Sequence, residues 1–186
     1  MSTAHRRPKT PEDTRRALID AALRLALAQG LAALTLPDVA ATAGVTKGAV
    51  FHHFGSRQGL IDAVCTAILA RMDAELDAAL AQDRGGHGSF TRAYLSCTFQ
   101  PQGDASPWSS LSLSAITDPG LARIWADWMA GRLARHAQTD SGPELELVRL
   151  AADGWWLANL QGQRAEARTP PETLMARLLA LTREGG

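Results

Sequence analysis

Thr46, Lys47, Gly48, Ala49, Phe51 and His52, followed by Arg57, bring donors, cations and very small side chains into one short stretch. A lysine can donate to guanine O6 and N7 or to a phosphate, and a histidine can contact either. Gly48 and Ala49 carry so little side chain that the backbone can approach a base edge and touch a thymine methyl. Arg57, in the first turn of a following helix, suits a phosphate oxygen, as do the N–H groups at that helix's start. Phe51 is expected to be half in a core and half on the contact face. This is chemistry for holding duplex nucleic acid.

Such residues need a support that presents them together. Residues 35–57 read as a short helix, a tight turn at Gly44 and a second short helix opened by Thr46 as N-cap, which is a helix-turn-helix. Val39, Ala40 and Ala43 recur at helical spacing, Gly44 stands where a positive φ is cheap, and Val45 turns the chain inward. Val50 and Phe54 are the core-facing positions of the second helix. Thr35 caps the first helix and belongs with the DNA-facing set. His52 and His53 are adjacent and point about 100° apart, so they cannot chelate a metal from one face. His53 reads as a structural residue.

Charge follows the same division. Residues 1–57 hold eight Lys or Arg against four acids, and the remainder eleven against fifteen, so a neutral chain has a basic head and an acidic body. Arg6, Arg7 and Lys9 lie in a basic arm, residues 1–9. They either reach along the DNA backbone and into a minor groove or form a solvated tail.

The 186 residues, 46% of them apolar, suit one or two small domains with proper cores. Apolar runs fall far short of a membrane span, and the basic N-terminus lacks an apolar signal segment. A cytoplasmic protein with two reduced core thiols, Cys65 and Cys97, is the expectation. No Ser-His-Asp spacing, phosphate-binding loop, HExxH or glycine fingerprint points to an enzyme. Asp118, Asp127, His136 and Asp153 are scattered and read as caps and surface charges. No metal or cofactor is called for.

Every clear element is helical, so the fold class is all-α. Thr10-Pro11-Glu12-Asp13 starts a helix that Gly30 stops. Ser56 caps a long helix reaching about Arg84, ahead of Gly85-Gly86-His87-Gly88. Further helices are expected near Ser89–Phe99, around Trp108–Ile116, and from Asp118-Pro119 to about His136. Ser141-Gly142-Pro143-Glu144 and Thr169-Pro170-Pro171-Glu172 have capping-box spacing, opening one helix to roughly Arg168 and a last one ending before Gly185. The division is a flexible arm over 1–9, a DNA-binding domain over 10–57, and a ligand-binding and dimerisation domain over 58–186, with the junction inside the long helix.

Thr35-Leu36-Pro37-Asp38-Val39-Ala40, Ala43-Gly44-Val45-Thr46-Lys47-Gly48, and Phe51-His52-His53-Phe54-Gly55-Ser56-Arg57 with Leu60 resemble the TetR family of bacterial transcriptional regulators. The resemblance extends back through Ala21-Ala22 and Gly30. It implies an all-helical homodimer, each subunit pairing a three-helix DNA-binding head with a larger domain that binds a small molecule. The family commonly has tyrosine at Phe51, a basic or polar residue at Pro37 and an aromatic at Ala26. A hydroxyl that often reaches phosphate is therefore absent here.

The five tryptophans all lie beyond the head. Leu121, Ile124, Trp125, Trp128 and Met129 follow helical spacing, giving a broad aromatic face that is either ordinary core or the wall of a cavity. With Met72, Tyr94, Phe99, Trp108, Trp155 and Trp156 it can line a pocket for a small, largely apolar effector, and Cys97, Gln100, Ser112 and Asn159 are the polar candidates. The helix from Glu144 is apolar nearly all round, so one side needs a partner surface. With the final helix it suits a two-fold, four-helix dimer interface, which would match a palindromic operator. A repressor released by its effector is the family's commonest mode. The alternative is a ligand-independent regulator or an activator whose aromatic cluster is only core.

Overall fold

The structure is a computed structural model and describes residues 10–99, 118–161 and 169–183. Every regular element among the described residues is a helix. The chain divides into two compact units, Met1–Ile68 and Leu69–Gly186.

In the first unit α1 spans Pro11–Gln29 and opens with a reciprocal cap: the Thr10 hydroxyl accepts from the Asp13 N–H, and the Asp13 carboxylate accepts from the Thr10 N–H. Gly30, at φ 84°, ends it, and a 3-10 turn over Leu31–Ala33 leads to α2, Leu36–Ala43. Thr35 caps α2 by accepting from the Asp38 N–H. The Gly44 N–H donates to Ala41 O, and the Val45 N–H donates to Ala40 O at 3.0 Å. That pair closes the helix only with a left-handed residue between, which Gly44 supplies at φ 68°. Thr46 then accepts from the Ala49 N–H and starts α3, Lys47–Phe54. Leu18, Ala22, Leu31, Leu34, Val39, Val50, Leu60 and Val64 are fully buried and form this unit's core.

Ser56 accepts from the Gly59 N–H and caps α4, Arg57–Gln82, a helix shared by both units. The second unit is built on α5, Ser89–Phe99, which is buried on nearly all sides. It packs against α7, Pro143–Leu160, and α8, Pro171–Leu181, while α6 covers Pro119–Arg135. The N-terminus of α5 is capped from fifty residues away. The Asp140 carboxylate accepts from the N–H groups of Phe90 and Thr91 and from the hydroxyls of Thr91 and Thr139.

Several expected starts and ends differ. Neither capping box forms at α7 or α8: the N-caps are Gly142, which has no side chain, and Pro170, whose ring has no acceptor. Gln161 closes α7 at Leu160, short of Arg168. A helical turn over Ala137–Asp140, not expected, brings Asp140 to α5. The helix expected around Trp108–Ile116 lies outside the described residues. Both cysteines are buried and carry no disulfide.

Arg92 ties three segments together. Its guanidinium donates to both Asp83 carboxylate oxygens at 2.7 and 2.8 Å, to the carbonyls of His87 and Gly85, and to Thr182 O beyond α8. The Arg92 hydrogen bonds hold the Asp83 carboxyl below its ordinary range, against the opposing effect of partial burial. This stabilisation is present above the unfolded carboxyl value of about 4 and is lost as pH falls through the lower folded value. Asp83→Asn should therefore be less stable than the parent at neutral pH. The gap should narrow as denaturant melts are taken below about pH 4, and a gap independent of pH would contradict the assignment.

Candidate functional site

The cap at Thr46 and the burial of Val50 set the rotation of α3. Val50 has no exposed surface and Phe54 is half-buried, with the Arg15 guanidinium 5.2 Å above its ring centre. At about 100° per residue, Lys47, Gly48, Phe51 and His52 then occupy one continuous arc on the opposite side. All four are exposed, as is Thr46, while Ala49 is half-buried at the edge of the arc. His53 is half-buried with its ring edge-on to His52 at 5.6 Å. Phe51 is more exposed than a half-core residue would be, at 56%.

Thr35 is half-buried, and its hydroxyl donates to the Asp38 carboxylate while accepting from the backbone. Arg57 is exposed, yet its Nε donates to Leu34 O at 2.8 Å and its Nη2 to Ala32 O at 2.6 Å. It thus holds the 3-10 turn to the start of α4 and satisfies two carbonyls there. Sequence reasoning did not anticipate this tie. An arginine that opens a helix and follows a serine cap gives no signal of partners more than twenty residues upstream. Arg6, Arg7 and Lys9 lie outside the described residues.

The expected ligand-facing residues fall in several settings within the second unit. Met72, Tyr94 and Cys97 are buried, and burial followed by the Glu75 charge pushes the Cys97 thiol up to about 11, so it stays protonated. Phe99 stacks on Trp155 at 4.1 Å, and Trp125 lies beside Trp128 at 5.2 Å. Met129 and Trp156 are half-buried, Asn159 is exposed, and Trp108, Ser112 and Gln100 lie outside the described residues. The Trp128 indole N–H donates to Asp73 on α4, and Arg132 bonds Asp73 and Asp77, so α6 is clamped to α4 by a polar cluster. A pocket of about 380 Å³ is lined by Met129, Leu133, Leu150, Glu146, Arg149 and Asp153 among others, and among the described residues only Met129 of the expected set takes part in it.

Two residues read as caps or surface charges have other environments. Asp153 is half-buried and accepts from the Tyr94 hydroxyl at 2.5 Å; burial raises its carboxyl above the ordinary value despite that bond and nearby Arg149. His136 stacks on Phe90 at 5.1 Å, with Nε2 buried and without a hydrogen-bond partner among the described residues. Asp118 does cap α6, and Asp127 is exposed. No group of three His, Cys, Asp or Glu among the described residues could hold a metal ion. No described helix is long and apolar enough to cross a membrane.

On α7 one face is core, with Leu145, Val148 and Ala152 fully buried. Another carries Leu147 and Leu150, 61% and 60% exposed, and Leu181 of α8 is 49% exposed. Gly154 continues the Leu147–Leu150 stripe, and nothing lies within 4 Å of where its Cβ would stand.

Residues 18–64 match the model for bacterial regulatory proteins, tetR family. Residues 88–183 match that for the tetracyclin repressor-like C-terminal domain. Over 53 residues, 28% of this chain, it is 47% identical to the HTH-type transcriptional regulator SrpR of Pseudomonas putida. The chain spans a quarter to two fifths of the length of such curated relatives. A TetR family member of known structure from Streptomyces coelicolor A3 is similar with a TM-score of 0.69 at 24% identity, covering 92% of this chain and 99% of that one. The multidrug binding protein EbrR complexed with ethidium gives 0.67 at 23% identity, covering 91% and 98%.

Proposed function

Because the chain belongs to the TetR family of bacterial regulatory proteins, we propose that it binds a palindromic DNA operator as a homodimer and represses transcription until a small, largely apolar effector releases it. The family is one of regulators, not enzymes. The observation that carries the reading is the arc of α3, where Lys47, Gly48, Phe51 and His52 stand exposed on a helix whose other side is packed through Val50. A helix presented in this way fits the major groove, with the Lys47 cation at its start for a phosphate or a base edge.

The test is selection of bound sequences from a randomised duplex pool, followed by a salt titration on the selected site. Lys47→Ala should weaken binding and flatten the log–log salt slope by about one unit if the lost contact is to phosphate. Arg57→Ala should also lower the melting temperature, because the carbonyls of Ala32 and Leu34 lose their donors. Binding by Lys47→Ala equal to the parent's at every salt concentration would remove the recognition helix from its assigned place.

The effector reading draws on the aromatic face of α6 and on its clamp to α4 through Asp73, Asp77, Trp128 and Arg132. EbrR, a neighbour in fold, is a multidrug binding protein complexed with ethidium. A ligand beside α6 would bias α4, and α4 runs on into the head; the shift is limited to the difference in its affinity for the two states, commonly about 1–3 kcal/mol. The 4.1 Å stack of Phe99 on Trp155 favours a second reading, a closed aromatic core with ligand-independent DNA binding. Titrating tryptophan fluorescence with a panel of apolar and aromatic molecules, in parallel with operator release, separates them. Saturable quenching with release supports effector control, and release abolished in Asp73→Asn with quenching retained would place the coupling at the clamp. No response to any compound favours the closed core.

Homodimerisation rests on the α7 stripe of Leu147, Leu150 and Gly154 and on Leu181 of α8, the three leucines presenting large apolar side chains, about half or more exposed, that a partner surface would cover. Two heads about 34–36 Å apart would then meet half-sites one DNA turn apart. Leu150→Asp should give a monomer by sedimentation at micromolar concentration and lose operator affinity sharply. A parent protein that sediments as a monomer under the same conditions would refute the interface.

A further inference from the structure

Phe51 is an anomaly for a folded head. It is 56% exposed, the only large apolar side chain so exposed among the described residues of the first unit, and it stands in the middle of the arc between Lys47 and His52. It has no polar atom, so it cannot donate to a phosphate or to a base edge. Its neighbours leave room beside it. Helix side chains lean toward the N-terminus, which directs Phe51 toward the turn that carries Lys47 and Gly48. At Gly48 an added Cβ would meet nothing nearer than the Thr46 hydroxyl at 3.8 Å. The result is an apolar ring beside a notch that lacks a side chain, on a surface otherwise made of donors.

The duplex offers one apolar group in its major groove, the C5 methyl of thymine. We propose that Phe51 is a specificity-determining residue that packs its ring on a thymine methyl in each half-site, with the methyl seated in the notch above Gly48. This rests on the DNA-binding reading and adds to it the identity of one base. Lys47 and His52 on either side then supply the polar contacts, and Phe51 discriminates thymine from cytosine, whose C5 carries only hydrogen.

The experiment uses the full chain and a site selected from a randomised duplex pool. Each thymine of the selected half-site is replaced in turn by 2′-deoxyuridine, which keeps the base-pairing edge and removes only the methyl. One position per half-site should cost the parent protein about fourfold in affinity, the equivalent of one buried methyl or methylene group. Phe51→Ala should bind more weakly overall and be indifferent to uracil at that position, while keeping the parent's response elsewhere. Phe51→Leu, which restores apolar bulk, should recover part of the difference. Because the side chain is more than half exposed, both variants should keep the parent's melting temperature, and the melt is run alongside. Uracil tolerated at every position by the parent, or an undiminished uracil penalty in Phe51→Ala, overturns the proposal and leaves DNA binding standing. A selected half-site without thymine overturns it as well. If no site is selected at all, the DNA-binding reading fails and takes this inference with it.

Discussion

A buried valine at the centre of α3 decides which way that helix is turned. Val50 has no solvent-exposed surface, and the four residues of the outward arc face water because of where it sits. Its position is in turn imposed by the turn before it: Gly44 in the left-handed region lets the Gly44 and Val45 N–H groups close α2, and Thr46 begins α3 without a wasted residue. Rotating α3 by one residue, about 100°, would turn Ala49 or Phe51 toward the core and expose the valine. The contact surface is thus an outcome of core packing and of one glycine's backbone. It needs no special stabilisation of its own.

The second unit is held by polar ties over long sequence separations as well as by apolar packing. Asp140 caps α5 from fifty residues away, Arg92 joins the end of α4 to the residue after α8, and Arg132 with Trp128 binds α6 to α4. Each tie places a charged group where most of its hydrogen-bonding capacity is used. Removing one partner strands the other in a partly buried place, which is why such ties fix geometry more firmly than exposed ion pairs do.

Local signals made the helices and the head legible. Thr10, Thr35, Thr46 and Asp118 all act as caps because their side chains and the turn that follows lie within four residues. Where the capping residue's neighbour was glycine or proline, at Gly142 and Pro170, the same spacing misled, since the N-cap shifted onto a residue with nothing to accept with. The polar ties were not legible at all. Nothing local marks Asp140 as the cap of α5, Arg57 as a partner of Ala32 and Leu34, or Asp153 as the acceptor for Tyr94, because those pairings depend on how distant segments pack. Aromatic periodicity in α6 identified a face, but it did not tell cavity wall from core, and the described pocket uses Met129 with charged residues of α7 that periodicity passes over.

The continuity of α4 has a consequence for how the molecule can be divided. Its backbone ladder runs from Arg57 to Gln82 through the place where one compact unit gives way to the next. Cutting there would open a run of unpaired amides and carbonyls in mid-helix, and leave Leu60, Val64 and Ile68 on a frayed stub. Neither half comes away with clean ends, so dividing the chain at this boundary means rebuilding a turn of helix that belongs to both.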